Sequence, residues 1–121
     1  MVDKFYKLAE DRYRRFLYIL NQCGMFLLHS SDEEIETCIF EDFDIGIRSD
    51  VSDDNLELFL LEGWIDEEIK ERCLILKSLF LDIPANYPRL WNVQSVKVSE
   101  IWMRIMKLAD EIKKAIYYHI P

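Results

Sequence analysis

The sequence predicts an all-α protein, an irregular bundle of about five helices. Three observations carry that expectation. Only three Gly and three Pro punctuate the 121 residues, too few for the many turns of a β fold. Apolar residues recur at steps of three and four, the period of a helix that buries one face. Serine or aspartate stands where several of these periodic runs begin, as N-caps do. Half of the residues are hydrophobic, enough for a core, and the length fits a single helical domain spanning residues 1–121.

The first helix is expected from about Asp3 to Leu28, with Tyr13, Leu17, Leu20, Gly24 and Leu27 on its apolar face and Phe16 and Ile19 widening it. Gly24 costs about 1 kcal/mol against Ala in a helix interior. It marks either close packing or a helix end, and continuation is the expectation. Ser30 and Ser31 both fit a capping box, with Glu33 and Glu34 three residues on. A second helix then runs from Asp32 to about Phe43, burying Ile35, Cys38 or Ile39, and Phe43. Residues 44–51 carry Gly46 and no helical period, and read as a loop. Ser52 caps a short third helix through Leu56, Phe59 and Leu60, which Gly63 ends. Asp66 caps a fourth, with Ile69, Cys73, Leu76, Phe80 and Ile83 on its core face, and Pro84 and Pro88 stop it. The last helix starts between Asn92 and Ser99 and reaches about Tyr118. Its stripe is Val98, Ile101, Ile105, Leu108, Ile112 and Ala115, broadened by Trp102, Met106 and Ala109.

Cys23, Cys38 and Cys73 are odd in number, far apart and in no CxxC pair, so neither a disulfide framework nor a zinc knuckle is expected. They read as small buried hydrophobes in a reducing compartment. No apolar run approaches the roughly 18 residues of a membrane span. The charged start MVDKFYKLAEDRYRR has no signal-peptide core. A cytoplasmic location is the expectation.

The net charge is −8, which argues against binding nucleic-acid phosphates. Its distribution is lopsided. Residues 32–68 contain fifteen acids and one base, Arg48, whereas the chain on either side is mildly basic. Acids at helix starts suit the positive end of the helix dipole, and an ordinary solvated surface is the bland account of the rest. Concentrated like charge repels itself, however, and one base among fifteen acids does not make a mixed surface held by ion pairs. A basic partner gives such a field a purpose. The candidate partner-binding residues are Glu36, Glu41, Asp42, Asp44, Asp50, Asp53 and Asp54. Trp64, in a turn between Gly63 and Ile65, is either packed or partly exposed as a hydrophobic anchor.

Other chemistry finds little support. Asp50, Ser52 and Asp54 match the start of a calcium loop, but Asn55 stands where Gly makes the turn and Leu61 where a bidentate Glu closes the site. His29 and His119 lie at opposite ends of the chain and form no HExxH or Glu-x-x-His pattern. No Gly-flanked Ser elbow or phosphate-cradling loop occurs. No catalytic residue, metal site or cofactor is assigned, and the expectation is a binding protein, not an enzyme.

The acidic middle and the stretch SDDNLELFLLEGWIDEEIKERCLILKSLFLDI, Ser52 to Ile83, resemble bacterial immunity proteins of polymorphic toxin systems, including those of contact-dependent growth inhibition. The resemblance covers roughly Ser31 to Ile83 and rests on texture, not on an invariant motif. It implies a cytosolic protein that neutralises one cognate toxin domain, often a nuclease, by covering its active site or substrate groove. An acidic inhibitor would meet the basic surface of such a nuclease. The alternative is an acidic helical adaptor or regulatory subunit for a basic protein, and a third reading is a small carboxylate enzyme with a metal.

Overall fold

The computed structural model describes residues 2–119, with side chains from Lys7 onward. Six helices follow one another: α1 Val2–Leu20, α2 at 32–49, α3 Asp53–Leu61, α4 Glu67–Asn86, α5 Val93–Val98 and α6 Glu100–Tyr118. Two 3-10 turns, Met25–His29 and Pro88–Leu90, join them. No strand occurs among the described residues. The fold is all-α, as the periodicity predicts.

Helix α1 stops at Leu20 instead of continuing to Leu28. A turn follows, and Gly24 is extended (φ 167°, ψ 176°) ahead of the 3-10 turn. The break is held by the last helix. Lys113 Nζ donates to the Cys23 carbonyl at 2.7 Å, and the Met25 N–H donates to Asp110 Oδ2 at 3.0 Å. Backbone groups freed by ending the helix thus find partners elsewhere, which removes most of the cost of the break. Lys113 and Asp110 also pair with each other at 3.1 Å. They lie so close to Gly24 that a Cβ there would overlap both side chains. Gly24 therefore marks a close approach and a helix end together.

Ser31 caps α2 by accepting the Glu34 N–H at 3.2 Å, and its hydroxyl donates to Glu34 Oε1 at 3.1 Å. The helix does not end at Phe43. An α-turn at Asp32–Ile35 passes into π-helix over Glu36–Phe43, and α-helix resumes over Asp44–Ser49. The expected loop at 44–51 is mostly helix. The apolar pattern explains this. Ile35, Ile39, Phe43, Ile47 and Val51 recur every four residues, and all are fully buried. In a pure α-helix of 3.6 residues per turn a strict step of four drifts around the axis. A π-segment, bonded i→i+5, winds more residues into each turn and straightens the stripe. The Asp44 N–H accordingly reaches the Ile39 carbonyl. Gly46 is buried where α2 meets α1, and a Cβ there would overlap Ile19.

Ser52 caps α3 through the Asn55 N–H at 3.1 Å. Its other end is a Schellman motif. Gly63 takes φ 77°, its N–H bonds to the Leu60 carbonyl, and the Trp64 N–H bonds back to Phe59 at 3.0 Å. Asp66 then caps α4 through the Ile69 N–H at 2.8 Å. Pro84 does not stop α4, which runs to Asn86 with the proline inside it. Proline removes one N–H, but the Tyr87 N–H still closes the last turn on Ile83 at 2.8 Å. The single last helix expected to start between Asn92 and Ser99 is two helices. Asn92 caps α5 and Ser99 caps α6, and the extended backbone of Ser99 (ψ 134°) separates them.

One core collects buried side chains from all six helices, among them Phe16, Phe43, Phe59, Phe80, Val96 and Trp102. At one end, the edges and faces of Phe40, Phe80, Trp91 and Trp102 meet with ring centres 4.9 to 5.9 Å apart, and Trp91 and Trp102 lie tilted to each other at 6.2 Å. The Trp102 Nε1–H donates to the Leu90 carbonyl at 2.8 Å, so the buried indole keeps a polar partner. No helix among the described residues is long and apolar enough to cross a membrane.

Candidate functional site

The acidic segment becomes the outer face of α2 and the first turn of α3. Because the buried stripe of α2 repeats every four residues, its outer face does too: Thr37, Glu41, Ile45 and Ser49 are all exposed. Ile45 is 68% exposed, an apolar side chain one turn from Glu41. Its place was invisible while residues 44–51 read as a loop.

The remaining acids of α2 divide between its two flanks. Asp42 faces α1, where the Tyr18 hydroxyl donates to its Oδ2 at 3.1 Å. That bond, followed by the charge of Asp42, raises the Tyr18 pKa above its usual value. Glu36 and Asp44 bracket Phe40 by one turn each way on the opposite flank, since Phe40 packs on Trp91 and Trp102 of the far side. Asp44 pairs with Arg48 at 3.1 Å. Asp50 lies 3.7 Å from Arg15 on α1, and its carbonyl accepts from the buried Asn55 side chain at 3.0 Å. Asp42 and Asp50 therefore both lean on α1, through Tyr18 and Arg15, which sit one turn apart. Asp53 and Asp54 are exposed in the first turn of α3.

Four of the seven acids, Glu36, Glu41, Asp53 and Asp54, are exposed and make no ion pair among the described residues. Elsewhere the basic flanks supply counter-charges: Lys97 meets Asp32 at 2.6 Å and Lys70 meets Glu57. Nothing in the spacing of the sequence links these partners, which lie 65 and 13 residues apart.

Trp64 is half-buried. Its ring lies tilted against Tyr13 at 4.9 Å and against Phe59 at 6.2 Å, and its carbonyl accepts from the Tyr13 hydroxyl at 3.4 Å. A hydrophobic contact between these two positions often accompanies a Schellman motif. The Phe59, Gly63, Trp64 order in the sequence was the available signal for that role. Trp64 thus packs on Tyr13 and Phe59 and stays partly exposed, and Ile45 is the more exposed apolar side chain beside the acids.

Cys23 and Cys73 are buried, and burial pushes each thiol up to about 12. At neutral pH they are protonated and poorly nucleophilic. Cys38 is half-buried, and burial raises it as well, ahead of Asp42 and Glu34. Among the described residues no three of His, Cys, Asp and Glu converge into a set that could hold a metal ion. The Asp50–Asp54 stretch holds a helix end and a cap. The Ser52 hydroxyl is engaged by Asn55 and the Asp50 carboxylate by Arg15.

No family model matches the chain, and neither a curated protein nor a solved structure is significantly similar to it.

Proposed function

We propose that this protein is an immunity protein that binds and neutralises a cognate bacterial toxin domain, a nuclease by preference, through the acidic outer side of α2 and the start of α3. The observation that supports the reading is the set of four exposed carboxylates, Glu36, Glu41, Asp53 and Asp54, which make no ion pair among the described residues and belong to a segment, residues 32–68, with fifteen acids and one base. Unpaired exposed charge raises the rate of encounter with a basic surface. Ile45 beside Glu41 supplies an apolar contact that slows dissociation. No residue of the chain is assigned a catalytic role or a cofactor.

The test is growth. The product of the reading frame next to this chain's own is expressed in bacteria with and without it. Rescue by the wild-type chain and loss of rescue by Glu36→Lys with Glu41→Lys is the expected result. The pair is chosen because neither residue caps a helix or makes an ion pair, so surface change stays within about 0.5 kcal/mol of stability. If the neighbouring product is harmless when expressed alone, the adaptor reading takes over. Lys113→Glu, by contrast, is no neutral control, because Lys113 holds the Cys23 carbonyl at the break after α1.

A further inference from the structure

The outer side of α6 carries the opposite charge. Its inner stripe, Trp102, Ile105, Met106, Ala109 and Ile112, is buried in the core. Its outer stripe lies along α4 and leaves two open hollows. One is lined by Ile75, Leu79, Arg104, Lys107, Leu108 and Glu111. The other is lined by Arg72, Glu111, Lys114, Ala115 and Tyr118. They share Glu111 and form one groove, which follows α6 from Arg104 to Tyr118, about 21 Å at 1.5 Å per residue.

The floor of this groove is apolar and open. Ile75 is 51% exposed and Tyr118 is 68% exposed, with Leu79 and Leu108 half-buried between the helices. Its rim is mainly cationic, with the one carboxylate of Glu111 between Lys107 and Lys114 along α6. Arg72 is paired with Glu68 at 2.7 Å, but Arg104, Lys107 and Lys114 have no carboxylate within ion-pairing distance among the described residues. Three unpaired cations on one helix of a chain with a net charge of −8 are a local reversal of sign.

We propose that this groove docks an acidic amphipathic helix of a partner protein, its apolar side on Ile75, Leu79 and Leu108 and its carboxylates against Arg104, Lys107 and Lys114. Length, apolar floor and flanking charge together match the helix-in-groove mode, in which anchors at i, i+3 or i+4, and i+7 enter a furrow between two helices. Nucleic acid and anionic lipid are disfavoured. A phosphate polymer has no use for an apolar floor, and the negative net charge repels a polyanion that comes within the Debye length of about 8 Å. The surface lies on α4 and α6, away from the acidic side of α2. It stands or falls apart from the proposed toxin binding.

The probe is a synthetic 14-residue helix with leucines at positions 3, 6, 7 and 10 and glutamates beside them, a design of roughly the groove's length. Its twin carries lysines in place of the glutamates. Each is titrated into the full isotope-labelled chain, and amide shifts are followed. The acidic helix should give saturable shifts confined to residues 72–79 and 104–118. The lysine twin should give none. Lys107→Ala with Lys114→Ala should weaken the acidic helix about tenfold, as removal of charged contacts at an interface does, while leaving the melting temperature in place. Ile75→Ser provides a second variant that touches only the floor. Absence of saturable shifts, equal binding of the lysine twin, or shifts outside the groove overturns the proposal. Loss of groove signals on concentrating the chain alone, with sedimentation as a dimer, would assign the groove to a second copy and overturns it equally. Binding of phosphatidylserine vesicles or a short RNA that needs Lys107 and Lys114, in place of the acidic helix, does the same.

Discussion

Tyr13, Cys23 and Cys73 show what burial does to single ionisable groups. Tyr13 is raised from 10.0 to about 12, by burial first and then by the neighbouring Cys73, and both thiols are raised from 9.0 to about 12 by burial. Each is neutral in the folded chain where the unfolded chain would already ionise it. A raised folded-state pKa contributes fully below the unfolded value and is lost as pH climbs through the folded one. The midpoint of urea unfolding should therefore fall steadily from pH 9 upward. Cys73→Ala should make that decline shallower, since one of the ionising groups is gone. A midpoint flat between pH 9 and 11 would mean these groups are open to solvent. Trp64 teaches a related lesson at this scale. A tryptophan in a turn looks like an anchor, but the backbone bonds of Gly63 and Trp64 place its ring against Phe59 and Tyr13.

Helix α2 is where element and sequence pattern part company. A reader armed only with the 3.6 period stops the helix at Phe43 and treats Gly46 as a loop residue. The strict step of four from Ile35 to Val51 is the pattern that a π-segment accommodates, because its wider turn limits the drift that a step of four has in an α-helix. Gly46 is required there by its neighbour and not by its own φ. Gly46→Val should lower stability by about 1 to 3 kcal/mol, the usual cost of overpacking a close contact, measured by urea denaturation. Ile19→Ala in the same chain should restore part of the loss, because Ile19 is what the new side chain would strike. If Gly46→Val proves neutral, α1 and α2 are not held as closely as the geometry implies. The caps, in contrast, were readable residue by residue. Ser31, Ser52 and Asp66 each accept the N–H three residues on, and that pairing needs nothing beyond the local chain.

For the whole molecule, the separation of charge is the property that matters most for encounter. With Glu36, Glu41, Asp53 and Asp54 exposed on one side and Arg104, Lys107 and Lys114 on another, the molecule has two oppositely charged faces. Association with a basic toxin domain should slow as salt rises from about 0.01 to 0.15 M, where the Debye length falls from roughly 30 to 8 Å. Stopped-flow association rates are the measurement. A rate indifferent to salt would remove electrostatic steering and leave the acids with a role in solubility alone. Dissociation should respond instead to Ile45→Ser, since apolar contacts act mainly on that step.

The sequence by itself determined the helical class, the three side-chain caps, the Gly63 turn and the buried stripe of α4. All of these follow from interactions within about one turn of the chain, where spacing is information. The last helix, in contrast, buries Trp102, Ile105, Met106, Ala109 and Ile112, and Val98 of the expected stripe is left 81% exposed. The position of the break after α1, the π-winding of α2, and the survival of α4 through Pro84 were decided by tertiary packing. For the break after α1 the backbone cost was offset by partners far away in sequence, Lys113 for the Cys23 carbonyl across 90 residues and Asp110 for the Met25 N–H across 85. The same holds for the candidate surface. Composition showed that residues 32–68 are acidic, but which acids remain unpaired depends on Arg15, Tyr18, Lys70 and Lys97 arriving from other helices. Charge is a property of residues, whereas a charged face is a property of their packing.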